Sequence, residues 1–373
     1  MHLKTLVNAA TKYGTHSISE MLYLKTGYDM TKPHPIQGIQ GMVNERCNYK
    51  CRYCNFWQQK EYVEEMTIEQ WQAALLSLKQ FIGFFSIQFV GGEPFIKKGF
   101  VDLLEFCYKE DINWGAITNG SAFNHQTAKK VVAARPLNID ISVDGSKAEI
   151  HDYVRGVPGS LDKITQGIGF LREESERLGL KFPIRIQATV HVLNFRNLPR
   201  LVEWSQQVGA TTIEFHTVSP WTKEVDTELW IRDQADISAL RETVETLIAM
   251  KKDGMPIETS EEKLRSFPDH FLGKIVRHGV SPCRVGLRDY HIMPNGDVSM
   301  CWFYPSIGNV KTHSARDIWY GDKAKQLRAQ MVTCSKFGTV SCANSCLSHR
   351  TLMQQVKRGL LLIRRVGLTL GSS

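Results

Sequence analysis

No apolar run in the 373 residues approaches the ~18 uninterrupted positions that a helix needs to cross a bilayer. The opening Met1-His-Leu-Lys lacks the apolar core of a secretory signal, and no low-complexity linker breaks the chain. Acidic residues are the scarcer charge, 38 against 46 basic ones, for a formal charge of +8. Yet there is no concentrated basic stripe and no base-stacking motif. These absences predict a cytoplasmic protein without a nucleic-acid partner, its excess charge spread over a solvated surface. Cysteine is what the chain does have: nine residues, an odd number, gathered in clusters. That rules out a fully paired disulfide set and points to metal ligation in a reducing compartment. With 42% hydrophobic content, the length suits one large domain plus an appendage.

The densest cluster is Cys47-Asn-Tyr-Lys-Cys51-Arg-Tyr-Cys54. Thiolates spaced C-x3-C-x2-C can hold three corners of an iron–sulfur cube, whereas a closed [4Fe–4S] site takes four cysteines, so one iron is left open. Structural zinc takes four ligands in paired spacings, and no His or Cys follows soon after Cys54. With an aromatic residue, Tyr53, just before the third cysteine, the segment resembles the radical S-adenosylmethionine (SAM) superfamily. The resemblance implies a [4Fe–4S] cluster whose open iron is chelated by the amino and carboxylate groups of SAM. It also implies an α/β fold, a partial (β/α)6 TIM-like barrel.

Residues 1–36 read as a helical lead-in closed by Pro33 and Pro35, expected to pack on the barrel. Residues 37–280 read as the barrel and its following helices. Ile36 to Val43 forms the first strand and delivers Cys47 to its C-terminal end, where such folds mount their chemistry. A helix over 67–81 opens on a Thr67-x-x-Gln70 capping box, and Phe85 to Val90 is the next strand.

That strand runs into Gly91-Gly92-Glu93-Pro94. Paired glycines let backbone approach closely, and a carboxylate can accept from an ammonium. The segment matches the GGE motif of the resembled family, which implies a contact with the SAM amino group. Trp114 to Thr118 leads into Asn119-Gly120-Ser121, and Asn138 to Val143 carries Ser142 and Asp144. Asp and Ser suit ribose hydroxyls, although an Asp at a strand end also serves as a helix cap. The stretch His151 to Ser160 resembles a segment of radical SAM enzymes with auxiliary clusters. By that likeness Ser142 and Asp144 lie near the ribose or carboxylate of SAM, with Arg155 as a carboxylate partner.

Strands over 184–193 and 212–218 complete a set of six. On the last of them Glu214 and His216 share one face by the period of two. They are candidate catalytic residues or proton acceptors if that face lines the barrel, and otherwise a hydrogen-bonded structural pair. His191 reads as a core histidine, and Cys107, in an apolar helical stretch, as a buried structural thiol.

From residue 281 the character changes, with cysteines at 283, 301, 334, 342 and 346 among short β-like pieces. Residues 281–349 read as a metal-nucleated module too small to be stable without its metal. The spacing Cys283-x12-Gly296-x4-Cys301 resembles the opening of the SPASM and twitch modules of radical SAM enzymes, with Asn295-Gly296 as the hairpin turn. The later spacing, Cys334-x7-Cys342-x3-Cys346, departs from the full pattern. The expectation is one auxiliary [4Fe–4S] cluster held by Cys283, Cys301 and Cys346, with Cys342 or Cys334 as the fourth ligand. Residues 350–373 form a basic amphipathic tail, Arg364 and Arg365 included. It is a candidate peripheral membrane contact or else packs on the barrel.

The resemblance implies reductive cleavage of SAM to a 5′-deoxyadenosyl radical that abstracts hydrogen from a substrate, with electrons from a flavodoxin or ferredoxin. Peptide modification, with a peptide substrate and a carrier protein as partners, is the leading reading. Dehydrogenation or rearrangement of a small-molecule, sugar or lipid-linked intermediate is the alternative.

Overall fold

The computed structural model describes residues 15–16, 18–33, 38–219, 227–274, 283–335 and 342. Cys346 and the tail with Arg364 and Arg365 lie outside the described residues.

The lead-in helix α1 (residues 18–26) is followed by six strands: β1 (Ile39–Met42), β2 (Ser86–Val90), β3 (Asn113–Thr118), β4 (Asn138–Ser142), β5 (Ile184–Val190) and β6 (Thr212–Thr217). All neighbouring pairs are parallel, and the sheet runs in simple sequence order from β1 to β6. Crossover helices make each parallel step feasible: α2 (Ile68–Ile82), α3 (Phe100–Lys109), α4 (His125–Ala133), α5 (Ala148–Arg155) with α6 (Ser160–Arg177), and α7 (Leu198–Gln207). This is the partial (β/α)6 barrel expected of the sequence. Neither β1 nor any other described strand closes it against β6.

Local chemistry places these elements. Thr67 and Gln70 form the expected capping box at the start of α2, Gln70 N donating to Thr67 Oγ1 at 3.2 Å and Thr67 N to Gln70 Oε1 at 2.9 Å. Trp71, Ala74, Leu75, Leu78 and Ile82 then bury one stripe of the helix against the sheet. The outward face of the strands supplies the other half of that core, with Ile87, Phe89, Trp114, Ile139, Ile186 and Phe215 all buried. Cys107 is buried within it, as expected.

After β6 come α8 (Gln234–Lys252), α9 (Glu261–Arg265) and α10 (Phe267–Phe271), and residues 256–259 run along the β6 edge, with Ile213 N donating to Pro256 O. The C-terminal strands β7 (Tyr290–Ile292), β8 (Asp297–Ser299) and β9 (Gly308–Asn309) precede α11 (Ala315–Tyr320) and α12 (Asp322–Val332). The hairpin expected at Asn295-Gly296 joins β7 to β8, with Gly296 at φ 91°. β7 pairs in parallel with β1, so the hairpin together with β9 extends the barrel sheet to nine strands.

The lead-in meets the barrel where Lys32 lies over the Phe81 ring of α2, and its buried polar partners lie in the C-terminal segment. Glu20 is fully buried and ion-paired with Arg284 and Arg288, while Asp29 meets Arg328 at 2.9 Å. Trp319 Nε1 and Tyr320 Oη both donate to Thr31 O, at 3.0 and 2.8 Å. A buried carboxylate needs fixed cations, and those nearest to it come from residues 284 and 288.

Candidate functional site

The loop after β1 carries Cys47, Cys51 and Cys54, and the ends of its neighbours hold it in place. Lys50 N donates to Arg155 O at 3.2 Å and Arg52 N to Val154 O at 2.9 Å, which sews both sides of Cys51 to the end of α5. Gly156 caps that helix at φ 69°, and a Cβ there would stand 2.5 Å from Lys50 O. On the other side Gly92 N donates to Asn44 O at 3.1 Å, Glu93 N donates to Arg46 O at 2.8 Å, and Asn44 Nδ2 returns a bond to Glu93 O at 2.8 Å. A Cβ on Gly92 would lie 2.1 Å from Arg46 O. The glycine pair thus lets the cysteine loop approach the turn after β2.

Burial pushes the Cys47 thiol up to about 11 and the Cys51 thiol up to about 12; both feel Cys54, and Cys51 also feels Cys47. Such thiols ionise when a cation compensates them, as bound iron does. Among the described residues no three His, Cys, Asp or Glu side chains converge where one metal ion could take them all. A cube, which gives each cysteine its own iron, accepts that wider spacing. Cys47 Sγ receives Tyr49 N at 3.4 Å, Cys51 Sγ receives Arg155 Nη1 at 3.9 Å, and Asn119 Nδ2 lies 4.0 Å from Cys47 Sγ.

Glu93 does not present its carboxylate outward. It is fully buried, with Oε1 accepting from Thr118 Oγ1 at 2.7 Å and Phe95 N at 3.1 Å, and Oε2 from Asn119 N at 2.7 Å. Burial raises it to about 7 despite those donors. The side chain ties the turn after β2 to the end of β3. Asn119 closes the arrangement by donating to Asn48 Oδ1 at 2.8 Å.

Asp144 and Arg155, both expected near SAM, are ion-paired with each other. Arg155 Nε lies 2.8 Å from Asp144 Oδ2, which also accepts from Tyr53 Oη at 2.8 Å, and Asp144 Oδ1 accepts from Thr189 N at 2.8 Å. Burial opposes ionisation of Asp144, yet Arg155, the two histidines His191 and His151 and the Thr189 N–H together hold the carboxyl below its ordinary range. Ser142 stands half-buried at the end of β4, in register with Gln187. His151 and His191 pack behind, both fully buried and pushed down to about 4 by burial.

The sheet's concave face carries a run of polar side chains, with Met42, Val90 and Ile117 set among them. Register puts His291, Gln40 and Gln88 on it at one side, and Asp140, Arg185 and Glu214 at the other. Arg185 grips Asp140 through Nε at 2.9 Å and Nη2 at 2.5 Å. Glu214 and His216 do share this face, 3.6 Å apart, and they are joined by a residue the sequence did not flag. Lys263, from α9, places Nζ 3.1 Å from His216 Nδ1 and 3.5 Å from Glu214 Oε1. Burial and then Lys263 lower the His216 pKa. His216, Lys263 and Arg185 hold Glu214 well below the carboxylate range against the opposing effect of burial. No periodicity could have found Lys263, because it comes from a helix beyond the sixth strand.

In the C-terminal segment Cys301 is pushed up to about 12, first by burial and then by Cys283 and Cys342, which stand near it. Cys334 bonds Tyr304, itself within electrostatic reach of Cys301 and Cys283. No disulfide joins the described cysteines. Trp302, next to Cys301, stacks on His291 at 4.8 Å, so this group of thiols abuts the concave face.

Comparison with known proteins gives the family of the chain. The Radical SAM superfamily matches residues 42–180, and an iron–sulfur cluster-binding domain, SPASM, matches residues 283–347. The chain belongs to the radical SAM superfamily. It is similar to an AdoMet-dependent heme synthase of Nitratidesulfovibrio vulgaris, 24% identical over 82% of this chain and 84% of the relative. It is likewise similar to a PqqA peptide cyclase of Granulibacter bethesdensis, 24% identical over 80% of this chain and 77% of that one. Among solved structures, Streptococcus suis SuiB bound to its precursor peptide SuiA shares the fold, with a TM-score of 0.64 at 19% identity, covering 83% of this chain and 70% of SuiB. The radical SAM assignment makes the chain an enzyme that uses [4Fe–4S] clusters and AdoMet, that is, SAM. The residues present fit that cofactor set, with three thiols on one loop and a second group around Cys301.

Proposed function

We propose that the chain oxidises or crosslinks a peptide by radical SAM chemistry. Cys47, Cys51 and Cys54 would ligate the cluster that binds SAM, and Cys283, Cys301, Cys342 and Cys346 an auxiliary one, with Cys334 beside it. The bound cofactors would supply a 5′-deoxyadenosyl radical, while the chain supplies position and dryness. The observation that carries the reading is the run of polar side chains on the concave face from His291 to His216, which suits a substrate rich in hydrogen-bonding groups. Glu214 and His216 would contact the substrate from that face. Lys263 at Nδ1 leaves Nε2 as the protonated nitrogen towards Glu214. A flavodoxin or ferredoxin would deliver electrons, and a carrier protein would present the peptide.

Small-molecule oxidation is the second reading. It is favoured by the heme synthase relative and by Arg185 and Lys263, cations on the same face that could meet carboxylates. The two readings separate in one experiment. Anaerobically reconstituted protein with SAM and dithionite is offered deuterated peptides encoded beside the gene, or small molecules made by neighbouring enzymes. Deuterium entering 5′-deoxyadenosine from the peptide, with a peptide lighter by two hydrogens or crosslinked, supports the first reading. Deuterium entering only from a small molecule overturns it.

A further inference from the structure

Arg155 is held on three sides. Its Nε is paired with Asp144 Oδ2 at 2.8 Å, its guanidinium lies 5.3 Å from the Tyr53 ring centre, and its Nη1 points at Cys51 Sγ at 3.9 Å. Only 6% of the residue is exposed, and its own carbonyl holds the cysteine loop through Lys50 N. Asp144 cannot follow a moving arginine, because Thr189 N and Tyr53 Oη fix both its oxygens. Swinging the guanidinium toward a ligand carboxylate would therefore strand a fully buried Asp144. Among the described residues, Arg155 is the one cationic N–H donor on Cys47 and Cys51; those on Cys47 come from Tyr49 N and Asn119 Nδ2.

We propose that Arg155 is a positioning residue that sets the reduction potential of the N-terminal cluster by hydrogen-bonding the Cys51 sulfur, with Asp144 as its fixed counter-charge. The proposal rests on Cys51 being a ligand of that cluster. Reduction places one more negative charge in a dry site, and both a cation and an N–H···S bond favour the reduced form. The electron balance is simple. One electron from dithionite would take a bound cluster from 2+ to 1+, and with SAM bound that electron would go into cleaving the sulfonium S–C5′ bond, with methionine as the leaving group. No proton moves in either step. Asp144 acts in the opposite sense, since its charge disfavours reduction while its bond aims the arginine.

The test is an EPR-monitored redox titration of the full reconstituted chain, reading the signal that changes when SAM is added, together with equilibrium binding of SAM. Arg155→Gln should lower the reduced-to-oxidised ratio at a given potential about tenfold, equivalent to about 59 mV for a one-electron couple. Arg155→Lys should recover part of that loss, and Asp144→Asn should shift the potential the other way. SAM affinity should stay within about twofold of the parent, well under the ~1.4 kcal/mol of a tenfold change. Unchanged potential in Arg155→Gln with full iron content would overturn the proposal. So would weakened SAM binding at unchanged potential, which would make Arg155 the SAM carboxylate partner. If Arg155→Gln fails to hold iron, the opposed shifts of Arg155→Lys and Asp144→Asn decide the matter; shifts of one sign reject it. A SAM-responsive signal surviving in Cys51→Ala would show that the ligand reading itself is at fault.

Discussion

Glu20 and Arg288 stand 268 positions apart in sequence, yet Arg288 Nη2 donates to Glu20 Oε2 at 2.7 Å in the fold. Arg284 and His16 complete the shell, and Arg284 directly follows Cys283. The lead-in helix therefore anchors the strand-and-turn segment that carries the C-terminal thiols.

Glu20→Ala should cost about 3–5 kcal/mol, the usual result of stripping one partner from a buried ion pair. Burial opposes ionisation of Glu20, but Arg288 and His16 outweigh it and depress the carboxyl. Its stabilisation is thus present above the ordinary carboxylate range and lost as pH falls through the depressed value. Urea unfolding should show a smaller acid-side loss in Glu20→Gln than in the parent. An equal slope in both would remove Glu20 from the acid response.

Gly92→Ala and Gly156→Ala should both loosen the cysteine loop. The first puts a methyl 2.1 Å from Arg46 O, and the second puts one 2.5 Å from Lys50 O at a positive φ. Neither neighbour is a flexible side-chain tip, so each change should cost more than about 2 kcal/mol. Iron retention at the SAM-responsive site should drop in both, measured by EPR after desalting, while Gly169→Ala, with open space around it, should not change it.

His151 and His191 are buried and pushed down to about 4, whereas an unfolded imidazole titrates near 6.5. The unfolded chain therefore binds more protons between those values, and stability should fall as pH drops from 6.5 to about 4. Each imidazole should contribute on the order of 1–3 kcal/mol to that fall. Denaturant titrations of His191→Phe across this range should show a shallower pH slope than the parent; an unchanged slope would assign the titration elsewhere.

The intact chain should hold about eight irons, and the Cys283→Ala, Cys301→Ala double variant about four, one cube's worth. Because β7 is hydrogen-bonded to β1, whose end leads to Cys47, losing the C-terminal cluster should lower the melting temperature of the whole sheet. Stoichiometric zinc with about four irons in the intact chain would show the second site to be structural. Cleavage of SAM should vanish in Cys47→Ala, Cys51→Ala and Cys54→Ala alike.

What the sequence determined by itself was local or periodic. The triplet spacing, the Thr67 cap, the βα alternation and the Asn295-Gly296 hairpin depend on residues a few positions apart, and the fold kept all four. Glu214 and His216 could be placed on one face because strand side chains alternate. Partnership across the chain was decided only by tertiary structure. Asp144 and Arg155, eleven positions apart, became each other's counter-ion only when both were buried close together. Glu93 was absorbed by donors from β3, Lys263 reached His216 from beyond β6, and Glu20 found its cations near the far end of the chain. A buried charge must be matched within a few ångströms, and which residue arrives there depends on packing that no spacing encodes.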